Sequence, residues 1–203
     1  MSAPRSLVVG KIPIVAGGLA PVGAAPSPIG GAGATGPGLG QIPFFMQVQE
    51  QPNWCWAATA VSVSLFFNCT GNWTQCSIAN RTLTPPPGVD CCNDGSHPDC
   101  DRPWYLDRAL SSTSNLNDVR SGSVGFAEIV TIIGDWKPLG VRVGWIGGGG
   151  HFVIIRGWTK TSAGDEFVHV SDPFYGSSTV LHADFVGRYR SLGTWTHTYW
   201  TQP

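Results

Sequence analysis

The hydrophobic pattern of this chain changes at Pro138, and that change limits the folds open to it. Before Pro138, residues 54–67 are apolar almost all round and residues 125–137 carry apolar side chains at helical spacing, so both predict helices. Shorter helical turns are predicted over 76–83 and 104–110. After Pro138 come short β-rich runs, which predict strands over 141–146, 152–158, 167–171, 178–181 and 194–200. Helices followed by an antiparallel sheet predict an α+β fold, with a helical half, a sheet half or half-barrel, and a cleft between them.

Composition narrows the class of protein further. The 203 residues are 42% hydrophobic and 12% charged, with a formal net charge of -1, which suits one compact domain with a sizeable core. A nearly neutral chain gives no reason to expect nucleic acid or an anionic membrane as a partner. No apolar run approaches the roughly 18 residues needed to span a bilayer. We therefore expect a monomer with no nucleic-acid partner and no membrane span.

Residues 1–40 differ in composition from the rest of the chain. Ten of them are Gly, six are Pro, and Arg5 and Lys11 carry the only charges. Such a stretch buries too few side chains to offset its ordering entropy, so we expect a flexible Gly/Pro-rich leader or linker followed by one domain over 41–203. Gly and Pro interrupt every apolar run, which makes this segment a poor signal peptide.

Six cysteines indicate where the chain is cross-linked. Four of them lie in a Pro-, Gly-, Asn- and Asp-rich stretch that has little core of its own and gains stability from disulfides: Cys76, Cys91, Cys92 and Cys100. If Cys55 is free, at most two disulfides form and one thiol is left over. The pattern favours disulfides over a zinc site made of Cys91, Cys92, His97 and Cys100, which lacks a paired C-x-x-C motif. Disulfides predict an oxidising compartment, and hence a secreted or exported protein.

Cys55 stands in a context that favours a reactive thiol. Pro52 disfavours helix for the residue before it, and Asn53 is a good N-cap residue, so Cys55 is predicted in the first helical turn. Unpaired N–H groups and the helix dipole favour a thiolate there. About a hundred residues later come His151 and then Asp172, each at the edge of a predicted element. This layout suits a thiol nucleophile, its base and the group that orients the base.

Several sequence pieces resemble the papain-like cysteine peptidases, and among them a bacterial branch typified by a plant-pathogen avirulence effector protease. In chain order these pieces are 53–58 (NWCWAA), 73–76 (WTQC), 91–92 (CC), 150–153 (GHFV) and 172–176 (DPFYG). The resemblance covers about residues 41–200. It implies a papain-like fold and an endopeptidase that acts on protein or peptide substrates through a covalent acyl-enzyme, with no metal or cofactor.

The resemblance also implies a role for each candidate residue. Cys55 matches the nucleophile of the family, His151 its base, and Asp172 stands where the family carries Asn or Asp. Gln49, six residues before Cys55, matches the oxyanion-hole glutamine. Its side-chain amide and the Cys55 backbone N–H would donate to the oxyanion, an effect worth about 3–4 kcal/mol per donor.

Alternatives remain for individual residues and for the activity. His169 is the nearest rival to His151, and Gln51 is the rival to Gln49. A Cys-dependent acyltransferase uses the same chemistry on a thioester, and an isopeptidase uses it on a different amide. A non-enzymatic, disulfide-stapled binding module is the third alternative, and it requires Cys55 to be oxidised or buried.

Overall fold

Helices and strands are interleaved along the chain in a computed structural model that describes residues 36–203. Within these residues the chain forms five helices and seven strands. In chain order they are β1 (Gly38–Gln41), α1 (Cys55–Phe67), α2 (Gln75–Leu83), α3 (Leu106–Ser112), β2 (Leu116–Ser121), α4 (Phe126–Gly134), β3 (Leu139–Trp145), β4 (Gly150–Lys160), β5 (Glu166–Asp172), β6 (Gly176–Leu181), α5 (His182–Arg188) and β7 (Gly193–Thr201). The α+β class predicted from the sequence is confirmed.

All the strands belong to one antiparallel sheet. Its order is β2-β7-β3-β4-β5-β6, and β1 pairs with the later part of β4. Residue Ile154 of β4 lies opposite Ser171 of β5. Because these strands are antiparallel, the start of β4 and the end of β5 meet at one end of the sheet. That register brings His151 and Asp172 together.

Most predicted elements are present, with three additions. The predicted helices correspond to α1–α4 and the predicted strands to β3–β7. The sequence analysis missed β1, β2 and α5. Strand β2 is an edge strand whose residues are mostly exposed, so its apolar alternation is too weak to detect. Helix α5 has no side-chain N-cap and buries only Phe185, which leaves no helical start signal and little periodicity.

Strand β1 overlaps the last three residues of the predicted leader, 38–40. Gly38 to Gln41 pair with β4, with Gly38 opposite Lys160. The glycines of this strand let it pass close to the Trp158 ring, because a Cβ on Gly40 would lie 2.4 Å from Trp158 Nε1. Glycine that suggested flexibility in the sequence therefore serves a close contact in the fold. The remainder of the predicted leader, residues 1–35, lies outside the described residues.

Helix α1 runs through the core and is tied to the cross-linked loop. Its residues from 55 to 64 are buried. The two neighbouring tryptophans are also buried, with Trp54 Nε1 donating to the Cys100 carbonyl at 2.8 Å and Trp56 Nε1 to the Arg102 carbonyl at 3.1 Å. The start of α1 is thus fixed against residues 100–102.

The cysteines pair as two disulfides, Cys76–Cys92 and Cys91–Cys100. Cys55 and Cys69 are free thiols. The prediction of two disulfides with one thiol left over besides Cys55 is confirmed. The zinc alternative is wrong, because its three cysteines are consumed by disulfide bonds. Within residues 36–203 no helix has the length and apolarity needed to cross a membrane.

Candidate active site

Cys55 is the first residue of α1 and so lies in the first helical turn, as predicted. The N-cap residue, however, is not the predicted Asn53. Trp54 occupies the N-cap position and makes no side-chain cap bond. Asn53 is held by Asp101 instead: its backbone N–H donates to Asp101 Oδ1 at 2.9 Å and its Nδ2 to the Asp101 carbonyl at 3.2 Å. Within residues 36–203 the Cys55 N–H has no hydrogen-bond acceptor. A reduced thiol therefore stands beside an unpaired backbone donor at a helix N-terminus.

His151 lies at the start of β4 with its ring against Asp172. His151 Nε2 donates to Asp172 Oδ1 at 2.8 Å, and both residues are buried. This bond leaves Nδ1 as the ring nitrogen available to the Cys55 thiol. His151 and Cys55 line the same pocket, whose volume is about 910 Å³.

The surroundings of His151 favour its cationic form. Burial by itself lowers the pKa of the imidazole, but interactions with Asp172 and with the neighbouring Cys55 thiol outweigh it and raise the pKa to about 9. At neutral pH the ring is then an imidazolium. A cation at this position stabilises negative charge on the adjacent sulfur.

Asp172 is a fully hydrogen-bonded buried carboxylate. Besides His151, its Oδ1 accepts from the backbone N–H groups of Phe174 at 2.8 Å and Tyr175 at 2.9 Å. Its Oδ2 accepts from the hydroxyl of Tyr189 at 2.9 Å. Burial alone raises the pKa of this carboxyl, yet the His151 hydrogen bond and charge and the two backbone donors lower it overall. The turn after β5 thus holds an anion in a site that excludes water.

Aromatic rings enclose the His151–Asp172 pair. The Trp145 ring stacks on His151 with 6.1 Å between centroids, and Tyr189 stacks near Trp145 at 6.5 Å. Tyr175 meets the His151 ring edge-on at 6.1 Å. A hydrogen bond shielded in this way is stronger than one exposed to water.

Gln49 lies at the pocket in a loop that is tied to the Asp172 turn. Its backbone N–H donates to the Pro173 carbonyl at 3.0 Å. Its Nε2 donates to the carbonyls of Gln51 at 2.9 Å and Pro52 at 2.7 Å, and its buried Oε1 has no partner in the described part of the chain. The amide to which the family resemblance assigns an oxyanion-hole role therefore donates to backbone carbonyls of the chain itself in this structure.

The rivals to these residues lie elsewhere. Gln51 directs its side chain toward Gly95 in the cross-linked loop and does not line the pocket. His169 is bonded on one side to Thr159, with Nε2 to Oγ1 at 2.8 Å, and on the other to Gln41, with Nδ1 to Oε1 at 3.0 Å. Burial, followed by the charge of Arg156, lowers the pKa of His169. These contacts give His169 a structural role between β1, β4 and β5.

Two residues of the site were missed by the sequence analysis. Gln75 of α2 is buried and holds the Gln49 loop: its Oε1 accepts from Glu50 N–H at 2.9 Å and its Nε2 donates to the Val48 carbonyl at 2.9 Å. Tyr189 holds Asp172. The i, i+4 spacing of Phe185 and Tyr189 indicates a buried aromatic face, but no local pattern predicts which carboxylate a buried hydroxyl meets.

Comparison with known proteins supplies the family. A family model described as papain-like cysteine protease AvrRpt2 matches residues 39–189, about three quarters of the chain. No curated protein matches the chain significantly. The matched range begins within β1 and includes all the candidate residues described above. The chain belongs to the AvrRpt2 family of papain-like cysteine proteases.

Proposed function

We propose that this protein is an endopeptidase whose nucleophile is Cys55, with His151 as its base and Asp172 as the residue that orients the base. One observation carries the proposal. A buried His151–Asp172 pair, 2.8 Å apart, lies beside a reduced cysteine at the N-terminus of α1. This combination provides a nucleophile, a proton carrier and an electrostatic partner in one place.

The reaction follows from the protonation states. The Cys55 thiolate attacks the carbonyl carbon of the scissile peptide bond, and the carbonyl oxygen becomes an oxyanion. The Cys55 N–H and the Gln49 amide donate to that oxygen, once Gln49 exchanges one of its two backbone carbonyl partners for it. His151 then protonates the leaving amine, which departs and leaves a thioester on Cys55. A water molecule that gives its proton to His151 hydrolyses the thioester and restores the thiolate–imidazolium pair.

The substrate site in this proposal is the cleft between the helices around α1 and the sheet. Its walls carry aromatic side chains, among them Trp104, Phe152 and Tyr199. An extended segment of a protein substrate would lie along this cleft with its carbonyl at Cys55. The two disulfides support export to an oxidising compartment.

Two cysteine variants provide a matched test, because the described chain has two free thiols. Cys55→Ala is expected to abolish hydrolysis of a peptide library and labelling by a thiol-directed epoxide, while leaving the circular dichroism spectrum unchanged. Cys69→Ala removes the exposed free thiol and is expected to leave both activities at the wild-type level. Hydrolysis by Cys55→Ala near the wild-type rate would disprove the assignment.

The same library separates the alternative activities. A peptidase releases new amino termini from linear peptides in water. An acyltransferase instead forms a product that contains the acyl group of an added thioester, and an isopeptidase cleaves only branched, lysine-linked peptides. Slow iodoacetamide labelling of Cys55 together with no hydrolysis would favour the non-enzymatic binding module.

A further inference from the structure

Tyr189 is a buried residue with a hydrogen bond that the mechanism above does not use. It lies at the C-terminal end of α5 and is 1% exposed. Its hydroxyl donates to Asp172 Oδ2 at 2.9 Å, and Asp172 is 3% exposed. Both partners are thus removed from water, where a single hydrogen bond has its largest effect.

The two oxygens of Asp172 are held unequally. Oδ1 accepts from His151 Nε2 and from the backbone N–H groups of Phe174 and Tyr175. Among the residues that the structure describes, Tyr189 is the sole donor to Oδ2. The carboxylate torsion is soft, and a buried anionic oxygen without a donor is unstable. Without the hydroxyl, Oδ2 would compete for the donors at Oδ1, and the bond to His151 would weaken.

Tyr189 is itself fixed before any substrate arrives. Phe185, one helical turn earlier, packs edge-on against its ring at 5.1 Å, and Trp145 stacks near it at 6.5 Å. Burial, then the charge of Asp172, raises the pKa of its hydroxyl to about 12, so the proton stays in place across the working pH range. A rigid ring with a permanent proton is suited to orienting a carboxylate.

We propose that Tyr189 is a positioning residue, which holds the Asp172 carboxylate in the orientation that directs Oδ1 at His151. This inference rests on the proposed function of His151 and Asp172. Tyr189 acts through Asp172, so it determines how well the imidazolium is held rather than how substrate binds.

The test compares two variants that each remove one buried hydroxyl. Tyr189→Phe is expected to lower kcat roughly 10- to 100-fold, as for a lost hydrogen bond to a charged group, with little change in KM. The alkaline limb of kcat/KM should move to lower pH, and the ring titration of His151 followed by NMR should move the same way. Thr201→Val removes the hydroxyl that donates to the Pro138 carbonyl at 2.6 Å, and should lower the melting temperature without moving either titration.

The His151 titration depends on the charged and titratable groups around its ring. The charged and titratable groups around the His151 ring are Asp172 on β5, Cys55 on α1 and Tyr175 in the turn, with Arg190 lying 4.5 Å from the Tyr175 ring. Tyr189→Phe leaves Asp172, Cys55 and Tyr175 in place and keeps the ring that Arg190 lies over at 5.6 Å, but it removes the hydroxyl that Arg190 also contacts. An unchanged pKa of His151 in the variant would overturn the inference. A higher pKa would overturn it too, because it would mean that the hydroxyl weakens the influence of Asp172 on His151. If the wild-type protein shows no Cys55-dependent hydrolysis, the proposed function fails, while the NMR titration still decides the role of Tyr189.

Discussion

At the scale of single residues, His151 sets the pH range in which the pair with Cys55 exists. Its pKa is about 9 in the folded protein, against an ordinary value of 6.5. Because the folded value is the higher one, the resulting stabilisation is present in full below pH 6.5 and is lost as the pH rises through 9. The lowered pKa of Asp172 works in the opposite direction: its stabilisation is present above the ordinary carboxyl range and is lost as the pH falls.

This charge pattern predicts the alkaline limit of the activity. In the proposed mechanism the imidazolium protonates the leaving amine, so kcat/KM for a neutral peptide should fall with an apparent pKa of about 9. The measurement is initial rates over a series of buffers at constant ionic strength. An alkaline limb near 6.5 would show that His151 does not interact with Asp172 and Cys55 as described.

Gln49 provides a second prediction at this scale. Gln49→Ala is expected to lower kcat by roughly 10²–10³, with a smaller effect on KM, because an oxyanion donor acts mainly in the transition state. Gln51→Ala is the matched control, since its side chain lies against Gly95 and its backbone carbonyl remains. If Gln51→Ala is the damaging change and Gln49→Ala has no effect, the assignment is wrong by two residues.

How far the sequence predicts the site depends on the kind of contact. Cys55, His151 and Asp172 were selected by helix-start, strand-start and turn signals, and the fold brings them together. The N-cap was predicted wrongly because Asp101, 48 residues away, competes for Asn53. Tyr189 and Gln75 were missed for the same reason: long-range partners of polar side chains leave no local signal. Their contacts emerge only from the packing of distant elements.

At the scale of elements, the same distinction separates the helices and strands that were predicted from those that were missed. Helix α1 and the central strands carry continuous apolar patterns because both sides of them are covered. Strand β1 has the composition of a linker, since a strand that crosses the face of Trp158 needs glycine rather than apolar side chains. Composition alone does not distinguish a flexible glycine segment from one that packs closely.

The two disulfides are predicted to differ in their effect on activity. Their loops span 16 and 9 residues, so the chain-entropy model gives each about 3 kcal/mol and does not separate them. Burial distinguishes the two bonds, because Cys92 is exposed whereas Cys91 and Cys100 are both buried. The Cys100 carbonyl also accepts a hydrogen bond from Trp54, the residue before Cys55. Increasing dithiothreitol should therefore open Cys76–Cys92 first, with little loss of activity.

Paired variants isolate that difference. Replacing Cys76 and Cys92 together by Ser should preserve most of kcat, while replacing Cys91 and Cys100 together should reduce both the melting temperature and kcat. Mass spectrometry after alkylation gives the order of reduction in the wild-type protein. Simultaneous opening of both bonds, or full activity in the Cys91 and Cys100 double variant, would show that the start of α1 does not depend on the buried disulfide.

At the scale of the whole molecule, the folded unit begins earlier than composition indicated. Gln41 closes β1, and its Oε1 accepts a hydrogen bond from His169 Nδ1 at 3.0 Å, which connects the strand to β5. The family match also begins within this strand, at residue 39. Strand β1 extends the edge of the sheet beyond β3, because it pairs with residues 157–160 of β4 while β3 pairs with the earlier part. We therefore propose that the stable domain includes β1.

Two deletions test that boundary. Removing residues 1–35 is expected to leave the melting temperature and kcat nearly unchanged, because that segment has the composition of a linker. Removing residues 1–41 takes away β1, its hydrogen bonds to β4 and the partner of His169, and uncovers Trp158. A few buried hydrogen bonds at about 1 kcal/mol each predict a loss of roughly 2–4 kcal/mol, or roughly 5–15 °C in melting temperature. Equal melting temperatures for the two truncated proteins would place the start of the stable domain after β1, and a large decrease in the shorter deletion would place it before residue 36.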